Sequence, residues 1–167
     1  AQKLLSIEQW GTGQWTSMEN AFNGCRNLVI NAFDNPDLSN VKDMSWMFAF
    51  ARNLNQDISG WDISNIEDMT GLFSYANSFN QDIGTWDTSN VISMKEMFSD
   101  ATAFNKSIDK WNTGNVTDMQ GMFFSAQVFN ANIGSWNTGS VRNMSKMFMG
   151  AYTFNQPIGS WNTSSVL

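Results

Sequence analysis

One 25-residue unit is repeated along most of the chain. Residues 116–140 read VTDMQGMFFSAQVFNANIGSWNTGS, and residues 66–90 and 91–115 differ from this segment by small substitutions. An internal period of this length is typical of proteins in which each unit stacks on the next and contacts mainly its neighbours. Since no unit can bury its apolar side chains by itself, the repeat predicts a continuous core through a stack of units.

Equivalent positions of successive units, 25 residues apart, form columns of similar side chains. We expect the apolar columns to face the interior, including the tryptophans, whose rings each supply roughly 150–250 Å² of packing area. The methionines are then core residues rather than metal ligands, and Cys25 is a small core residue. The main apolar columns are Val41, Ile66, Val91, Val116 and Val141; Met44, Met69, Met94, Met119 and Met144; Phe48, Phe73, Phe98, Phe123 and Phe148; Leu54, Phe79, Phe104, Phe129 and Phe154; Ile58, Ile83, Ile108, Ile133 and Ile158; and Trp61, Trp86, Trp111, Trp136 and Trp161.

Each unit divides into two halves with different periodicity. Apolar residues within 116–126 fall at the i, i+3, i+7 spacing of a short amphipathic helix, which Gly121 and Ser125 make weak in isolation. From Ile133 to Thr138 the alternation predicts a short strand, paired in parallel with its neighbours. The asparagines after the second Phe column predict a ladder in which side-chain amides bond turn backbone and the same side chain one unit away. These asparagines are Asn55, Asn80, Asn105, Asn130 and Asn155.

The fold class predicted from these patterns is α/β: a right-handed solenoid with one short parallel strand and one short helix per 25-residue coil. Residues 1–14 form an N-terminal lead-in or cap, and residues 15–167 form six repeats of one solenoid. The last unit begins at Val166 and stops after two residues, so we expect the natural protein to continue. The first unit is divergent, as a cap would be. The Val, Met, first Phe and second Phe columns are continued here by Trp15, Met18, Phe22 and Leu28, and Cys25 is the small residue between the two Phe columns. Phe33 and Pro36 stand where later units have Ile and Trp.

Composition argues against several functional classes. The chain is acidic, with a net charge of −6 and a pI near 4.4, and lacks the basic stripe that nucleic-acid or anionic membrane partners require. It has no histidine and one cysteine, so histidine triads, disulfide frameworks and multi-cysteine metal sites are absent. No apolar run approaches 18 residues, which predicts no membrane insertion in this segment. We therefore expect neither an enzyme nor a cofactor.

The candidate ligand-binding residues are outward positions on the strand half. They form one stripe on the predicted sheet face, acidic towards the N-terminus and neutral beyond it: Asp37, Asp62, Asp87, Asn112, Asn137 and Asn162. Stacked carboxylates repel one another, so a cation such as Ca²⁺ is one hypothesis and a solvated acidic face is the simpler one. The weak calcium candidates are Asp57, Asp62, Asp82 and Asp87; no other metal site is predicted.

A threonine column could form an ice-binding array or a half-buried inward row. Leu38 and Ile63 interrupt it, which favours the inward position. The column is otherwise Thr12, Thr88, Thr113, Thr138 and Thr163.

The repeat pattern W-(D/N)-T-(S/G)-N-V-x-x-M-x-x-M-F-x-x-A-x-x-F-N-x-x-I resembles a domain of unknown function built from 25-residue repeats and found in mycoplasma surface lipoproteins. That family is distantly related to the BspA-like leucine-rich repeats of bacterial surface proteins. The resemblance covers residues 10–167. It implies a leucine-rich-repeat-like fold, secretion or display at the cell surface, and adhesion.

The working hypothesis is therefore a surface-displayed repeat module that binds a protein or glycan through its sheet face. The alternatives are a structural spacer within a longer surface array, and an ice-binding or lattice-binding surface.

Overall fold

The computed structural model describes residues 4–167 and contains little regular secondary structure. Strands β1 (Ser6–Ile7) and β2 (Val29–Ile30) pair in parallel, with Ser6 opposite Val29 and Ile7 opposite Ile30. Elsewhere in this range there is no further strand and no helix, only isolated parallel bridges between equivalent residues of successive units. The bridges are Asp43 to Asp68, Asp68 to Ser93, Ser93 to Asp118 and Asp118 to Asn143. The predicted leucine-rich-repeat-like α/β coil, with one helix and one strand per unit, is wrong.

Successive 25-residue units, here called coils, are joined by backbone hydrogen bonds. In one coil the N–H groups of Met94, Glu96, Phe98 and Asp100 donate to carbonyl oxygens 24 residues further along the chain, at 2.7–3.0 Å. Every second residue of this stretch is thus tied to the next coil. The intervening N–H groups turn back within their own coil; Ser99, for example, donates to Glu96 O at 3.1 Å.

This alternation is the physical reason that no helix forms. An α-helix sends every N–H to the carbonyl four residues earlier and keeps every residue in the right-handed region. Here Glu96 and Asp100 have φ of 53° and 56°, and the equivalent Gly121 and Ser125 have 57° and 53°. A left-handed residue at every fourth position breaks the helix, while the apolar spacing remains compatible with a series of linked turns. Residues 45–50 and their equivalents 70–75, 95–100, 120–125 and 145–150 are called the turn face below.

The core consists of rings stacked from coil to coil. Phe73, Phe98 and Phe123 lie 5.7 Å apart, centroid to centroid, with interplanar angles of 16° and 2°. Within a coil the two Phe columns also stack, as Phe98 does on Phe104 at 4.0 Å. Apart from the last coil, the apolar columns are buried, so their predicted inward orientation is confirmed.

In the tryptophan column, the indole N–H groups from Trp86 to Trp161 have hydrogen-bond partners, whereas the buried Nε1 of Trp10 in the lead-in has none among residues 4–167. Trp111 and Trp136 are buried and stack at 6.4 Å. The Trp111 indole Nε1–H donates to Ile83 O at 3.0 Å, one coil back, and Trp136 does the same to Ile108 O. A buried indole normally needs such a partner. Trp111 and Trp136 therefore each link two coils by packing and by a hydrogen bond.

The second half of each unit consists of turns rather than a strand. Trp136 N–H donates to Ile133 O at 3.2 Å, which closes a turn across the segment predicted to be extended. The asparagine ladder exists in a modified form. Asn105 Oδ1 accepts the backbone N–H of Asn130 at 2.8 Å, so the bond is to backbone, as predicted, and not to the identical side chain.

The first unit departs from the predicted columns at two positions. Trp15 and Phe33 are 40% and 86% exposed, so they do not fill the Val and Ile columns. Pro36 is buried where later units have tryptophan, and Ile7 and Trp10 of the lead-in are buried. Residues 1–3 of the predicted lead-in lie outside the described residues.

Candidate functional site

The predicted ligand stripe is exposed and forms a row of Asx turns. Each Oδ1 of its six residues accepts the backbone N–H two residues further on, at 3.0–3.1 Å. We call this row the Asx stripe: Asp37, Asp62, Asp87, Asn112, Asn137 and Asn162. Asx turns fix the local backbone without strands or helices. The stripe residues therefore hold one corner of each coil as well as facing solvent.

The acidic half of the stripe is charged and locally anchored. The pKa values of Asp37 and Asp62 are lowered, first by the side chain and then by the backbone N–H of the serine two residues on. Ser89 lowers the pKa of Asp87 in the same way, while the charge of Asp62 acts in the opposite direction. The two carboxylates of neighbouring coils are thus close enough to repel each other.

The structure does not gather the calcium candidates into one cation site. Asp57 and Asp82 each accept the backbone N–H two residues on, at 2.9 and 3.1 Å. Within residues 4–167, no three acidic or cysteine side chains are grouped closely enough to hold a metal ion. The carboxylates act on their own turns.

The central part of the threonine column faces inwards. Thr88, Thr113 and Thr138 are buried. The hydroxyl of Thr88 donates to Asn112 O of the next coil at 3.0 Å, and Thr113 donates to Asn137 O at 2.9 Å. Leu38 and Ile63, which interrupt the column, are buried too. These three threonines therefore form no water-facing array.

A second candidate surface, which sequence reasoning missed, is the turn face. It presents partly exposed aromatic side chains on neighbouring coils. Phe50 and Tyr75 stack at 4.6 Å with an interplanar angle of 8°. Trp46 lies directly over Gly71, where an added Cβ would come within 2.2 Å of the indole ring. Phe124 adds a further partly exposed ring two coils from Tyr75.

Two columns of the turn face have left-handed backbone throughout. The φ angles lie between 53° and 79° for Trp46, Gly71, Glu96, Gly121 and Lys146, and for Phe50, Tyr75, Asp100, Ser125 and Gly150. A residue with a Cβ pays roughly 1–2 kcal/mol in this region. The recurrence of glycine at these columns was the sequence signal that could have located them.

A groove of about 220 Å³ opens on the turn face. Tyr75 and Phe124 supply two aromatic rings, and Glu96 and Lys146 supply one charge of each sign. Its remaining lining residues are Ser99, Gln120 and Gly121. The groove therefore combines rings with hydrogen-bonding groups of several kinds over four successive coils.

The Tyr75 hydroxyl remains protonated in this setting. The Asp100 carboxylate raises its pKa most, followed by partial burial, and the charge of Glu96 adds to the effect. A neutral phenol can donate as well as accept a hydrogen bond. Because the Tyr75 hydroxyl already donates to the Asp100 side chain, Tyr75 offers the groove a ring edge and a hydrogen-bond acceptor.

The family model described as "Mycoplasma protein of unknown function, DUF285" matches residues 1–111 and 80–167. The chain belongs to the DUF285 family. The predicted resemblance to a mycoplasma domain of unknown function is thereby confirmed. No curated protein and no solved structure matches the chain. Residues 4–167 of this DUF285 chain contain no helix with the length and apolar character of a membrane span.

Proposed function

We propose that this DUF285 chain is a surface-displayed interaction module that binds a protein or glycan. Display at the cell surface and a relationship to BspA-like repeats are part of the proposal; they rest on the resemblance of the repeat to mycoplasma surface lipoproteins. Binding rather than catalysis is favoured because the sequence has no histidine. Its acidic side chains also serve mainly to fix turns.

The observation that carries the proposal is the set of aromatic residues on the turn face. In a spacer that binds nothing, we would expect mostly polar residues at the exposed positions. The left-handed columns would in addition favour glycine or asparagine. Glycine does occur there, but three of the ten positions hold Trp46, Phe50 and Tyr75, with φ of 57°, 59° and 58°. Bulky residues held in a disfavoured backbone conformation are commonly found at functional sites.

The same face varies between coils while the core stays constant. Inside, Phe recurs at the same position in every coil from Phe48 to Phe148. On the turn face, one column of partly or fully exposed residues runs Phe50, Tyr75, Asp100, Ser125 and Gly150. A constant interior with a varied exterior suits a rigid frame that presents a specific surface. The Asx stripe is the second candidate surface, polar and repetitive.

The test compares two matched variants of the intact chain on a glycan array and on a panel of host matrix proteins. The turn-face variant is Trp46→Gly, Tyr75→Ser and Phe124→Ser, in which each new residue already occurs in the same column of another coil. The stripe variant is Asp62→Asn and Asp87→Asn, which keeps the Asx turn chemistry of Asn112.

We expect the turn-face variant to lose at least about tenfold in affinity, because exposed aromatic anchors dominate such interfaces. The stripe variant is expected to keep most of the binding, and both should unfold at temperatures close to that of the parent chain. If the parent chain binds nothing on either panel, the spacer hypothesis replaces the proposal. Equal binding by all three proteins would remove both surfaces from consideration.

A further inference from the structure

We infer that the groove between Tyr75 and Phe124 binds one neutral pyranose ring of a glycan. This inference rests on the proposed function and names the ligand class for one part of the turn face.

The charge of the groove favours a neutral ligand. Its lining contains one carboxylate, Glu96, and one ammonium group, Lys146. The Asp100 carboxylate beside the Tyr75 hydroxyl adds a second negative charge at this end of the groove. An anionic ligand would therefore meet Glu96 and Asp100, and a cationic ligand would meet Lys146, so a neutral ligand avoids both repulsions. A sugar hydroxyl can accept from the ammonium group and donate to the carboxylate. A polyol therefore satisfies both charged groups together.

The lining groups have unused hydrogen-bonding capacity. Among residues 4–167 one ion pair occurs, Lys42 with Glu67, so Glu96 and Lys146 are not paired to each other. Gln120 uses its Oε1 to accept from Asn143 Nδ2 at 3.1 Å, which leaves its NH₂ group for a ligand. An apolar ligand would cover these groups without offering them partners, which is unfavourable.

The two rings provide the apolar component that a sugar needs. A pyranose presents C–H groups on its faces and hydroxyls around its rim. Tyr75 and Phe124 can pack against the C–H groups, while the Tyr75 hydroxyl and the polar lining reach the rim. A peptide side chain matches this arrangement less well, because an apolar one leaves the polar groups unpaired and a charged one leaves Glu96 or Lys146 opposed.

The groove is rigid and small. Its walls are held by backbone bonds between coils, from Tyr75 N–H to Ser99 O at 2.7 Å and from Glu96 N–H to Gln120 O at 2.8 Å. A preorganised site avoids the entropy of ordering its own residues. The volume of about 220 Å³ is below the range of roughly 300–1,000 Å³ typical of pockets for larger ligands. One ring fits this size better than an extended chain.

The test is a ¹H–¹⁵N titration of the full chain with the methyl pyranosides of glucose, galactose and N-acetylglucosamine. Each is taken to roughly 50 mM, where a site with a Kd of about 1 mM is nearly saturated. We expect at least one pyranoside to shift the amide signals of Ser99, Gln120 and Gly121. Phe124→Ser is expected to weaken this binding about tenfold.

Met149→Ser is the matched control. Met149 belongs to the same column as Phe124, one coil further on, is 59% exposed and does not line the groove. It should bind the pyranosides like the parent chain. Glu96→Gln supplies a second variant that keeps the shape of the groove, and it should also weaken binding.

The outcomes separate this inference from the proposed function. If the pyranosides shift no groove amide, or if Phe124→Ser binds them as well as the parent chain does, the sugar site is wrong. The interaction module still stands if the chain binds a panel member at another place. Shifts of the same amides by a lysine-containing or arginine-containing tetrapeptide, without shifts by any pyranoside, would make the groove a peptide site. No binding to any probe or panel member would remove both proposals.

Discussion

At the scale of single residues, Gly71 and Gly121 share one backbone conformation but differ in what an added Cβ would contact. They occupy one column with φ of 60° and 57°. A Cβ at Gly71 would lie 2.2 Å from the Trp46 ring, whereas a Cβ at Gly121 would meet the flexible Glu96 Cγ at 3.3 Å. In both alanine variants the left-handed backbone conformation lowers stability by about 1–2 kcal/mol. Only Gly71→Ala adds a steric clash with a large ring.

We therefore expect Gly71→Ala to lower the free energy of unfolding by about 2–5 kcal/mol, since overpacking adds to the backbone term. Gly121→Ala should cost about 1–2 kcal/mol. Urea denaturation measures both. Trp46→Ala in the Gly71→Ala background should recover part of the loss. Equal costs for the two glycines, or no recovery, would contradict the contact between Trp46 and Gly71.

Trp111 tests the core at the same scale. Its ring is 3% exposed and its indole N–H pairs with Ile83 O. Trp111→Ala should cost about 3–5 kcal/mol through the cavity it leaves. Trp111→Phe keeps a ring but removes one of the two hydrogen bonds that Ile83 O accepts, the other coming from Trp86 N–H. We therefore expect a smaller loss of about 1–3 kcal/mol. A melting temperature unchanged by Trp111→Ala would show that the ring contributes nothing to the stack.

At the scale of the local element, the corners of each coil are Asx turns, and their acidic members make stability depend on pH. The pKa values of Asp37, Asp62 and Asp87 are lower in the folded chain than their ordinary values. Their stabilising effect is therefore complete above the ordinary pKa of about 4. It is lost as the pH falls through the lowered folded value.

The melting temperature of the parent chain should therefore fall as the pH is reduced below about 4. The triple variant Asp37→Asn, Asp62→Asn and Asp87→Asn retains the turn chemistry found at Asn112 and should show a weaker decline. Calorimetry between neutral and strongly acidic pH compares the two proteins. A parallel decline in both would assign the acid sensitivity to other carboxyls.

The turn elements also explain how far the sequence could be interpreted. The apolar columns, the buried tryptophans and the exposure of the Asx stripe follow from a strict 25-residue period, because side chains that recur must meet their equivalents in the next coil. The helix at 116–126 was wrong because the i, i+3, i+7 spacing fits linked turns equally well. Hydrogen bonds to the next coil, such as Gly121 N–H to Ser145 O at 2.9 Å, decide between the two. The groove was missed because its walls come from four separate coils.

At the scale of the whole molecule, the coils are joined by equivalent bonds, and this makes the stack interchangeable in whole units. Met69 N–H donates to Ser93 O and Met94 N–H donates to Asp118 O, both at 3.0 Å. Deletion of residues 91–115 would bring residue 118 to the place of residue 93. Every column then remains in register, with Phe73 facing Phe123 in place of Phe98.

We expect this one-unit deletion to fold cooperatively and to unfold at a somewhat lower temperature, since stability in stacked arrays is nearly a sum of units and interfaces. Deletion of residues 91–103 is the control: it removes about half a unit, puts the rings of one coil opposite the turn residues of the next, and should abolish cooperative unfolding. Circular dichroism and near-ultraviolet tryptophan signals would follow both. If the one-unit deletion also fails to fold, contacts that reach beyond adjacent coils must hold the molecule together. The deletion of residues 91–115 also removes Glu96 and Ser99. Its folded product should therefore lose the groove while keeping the remaining aromatic residues of the turn face.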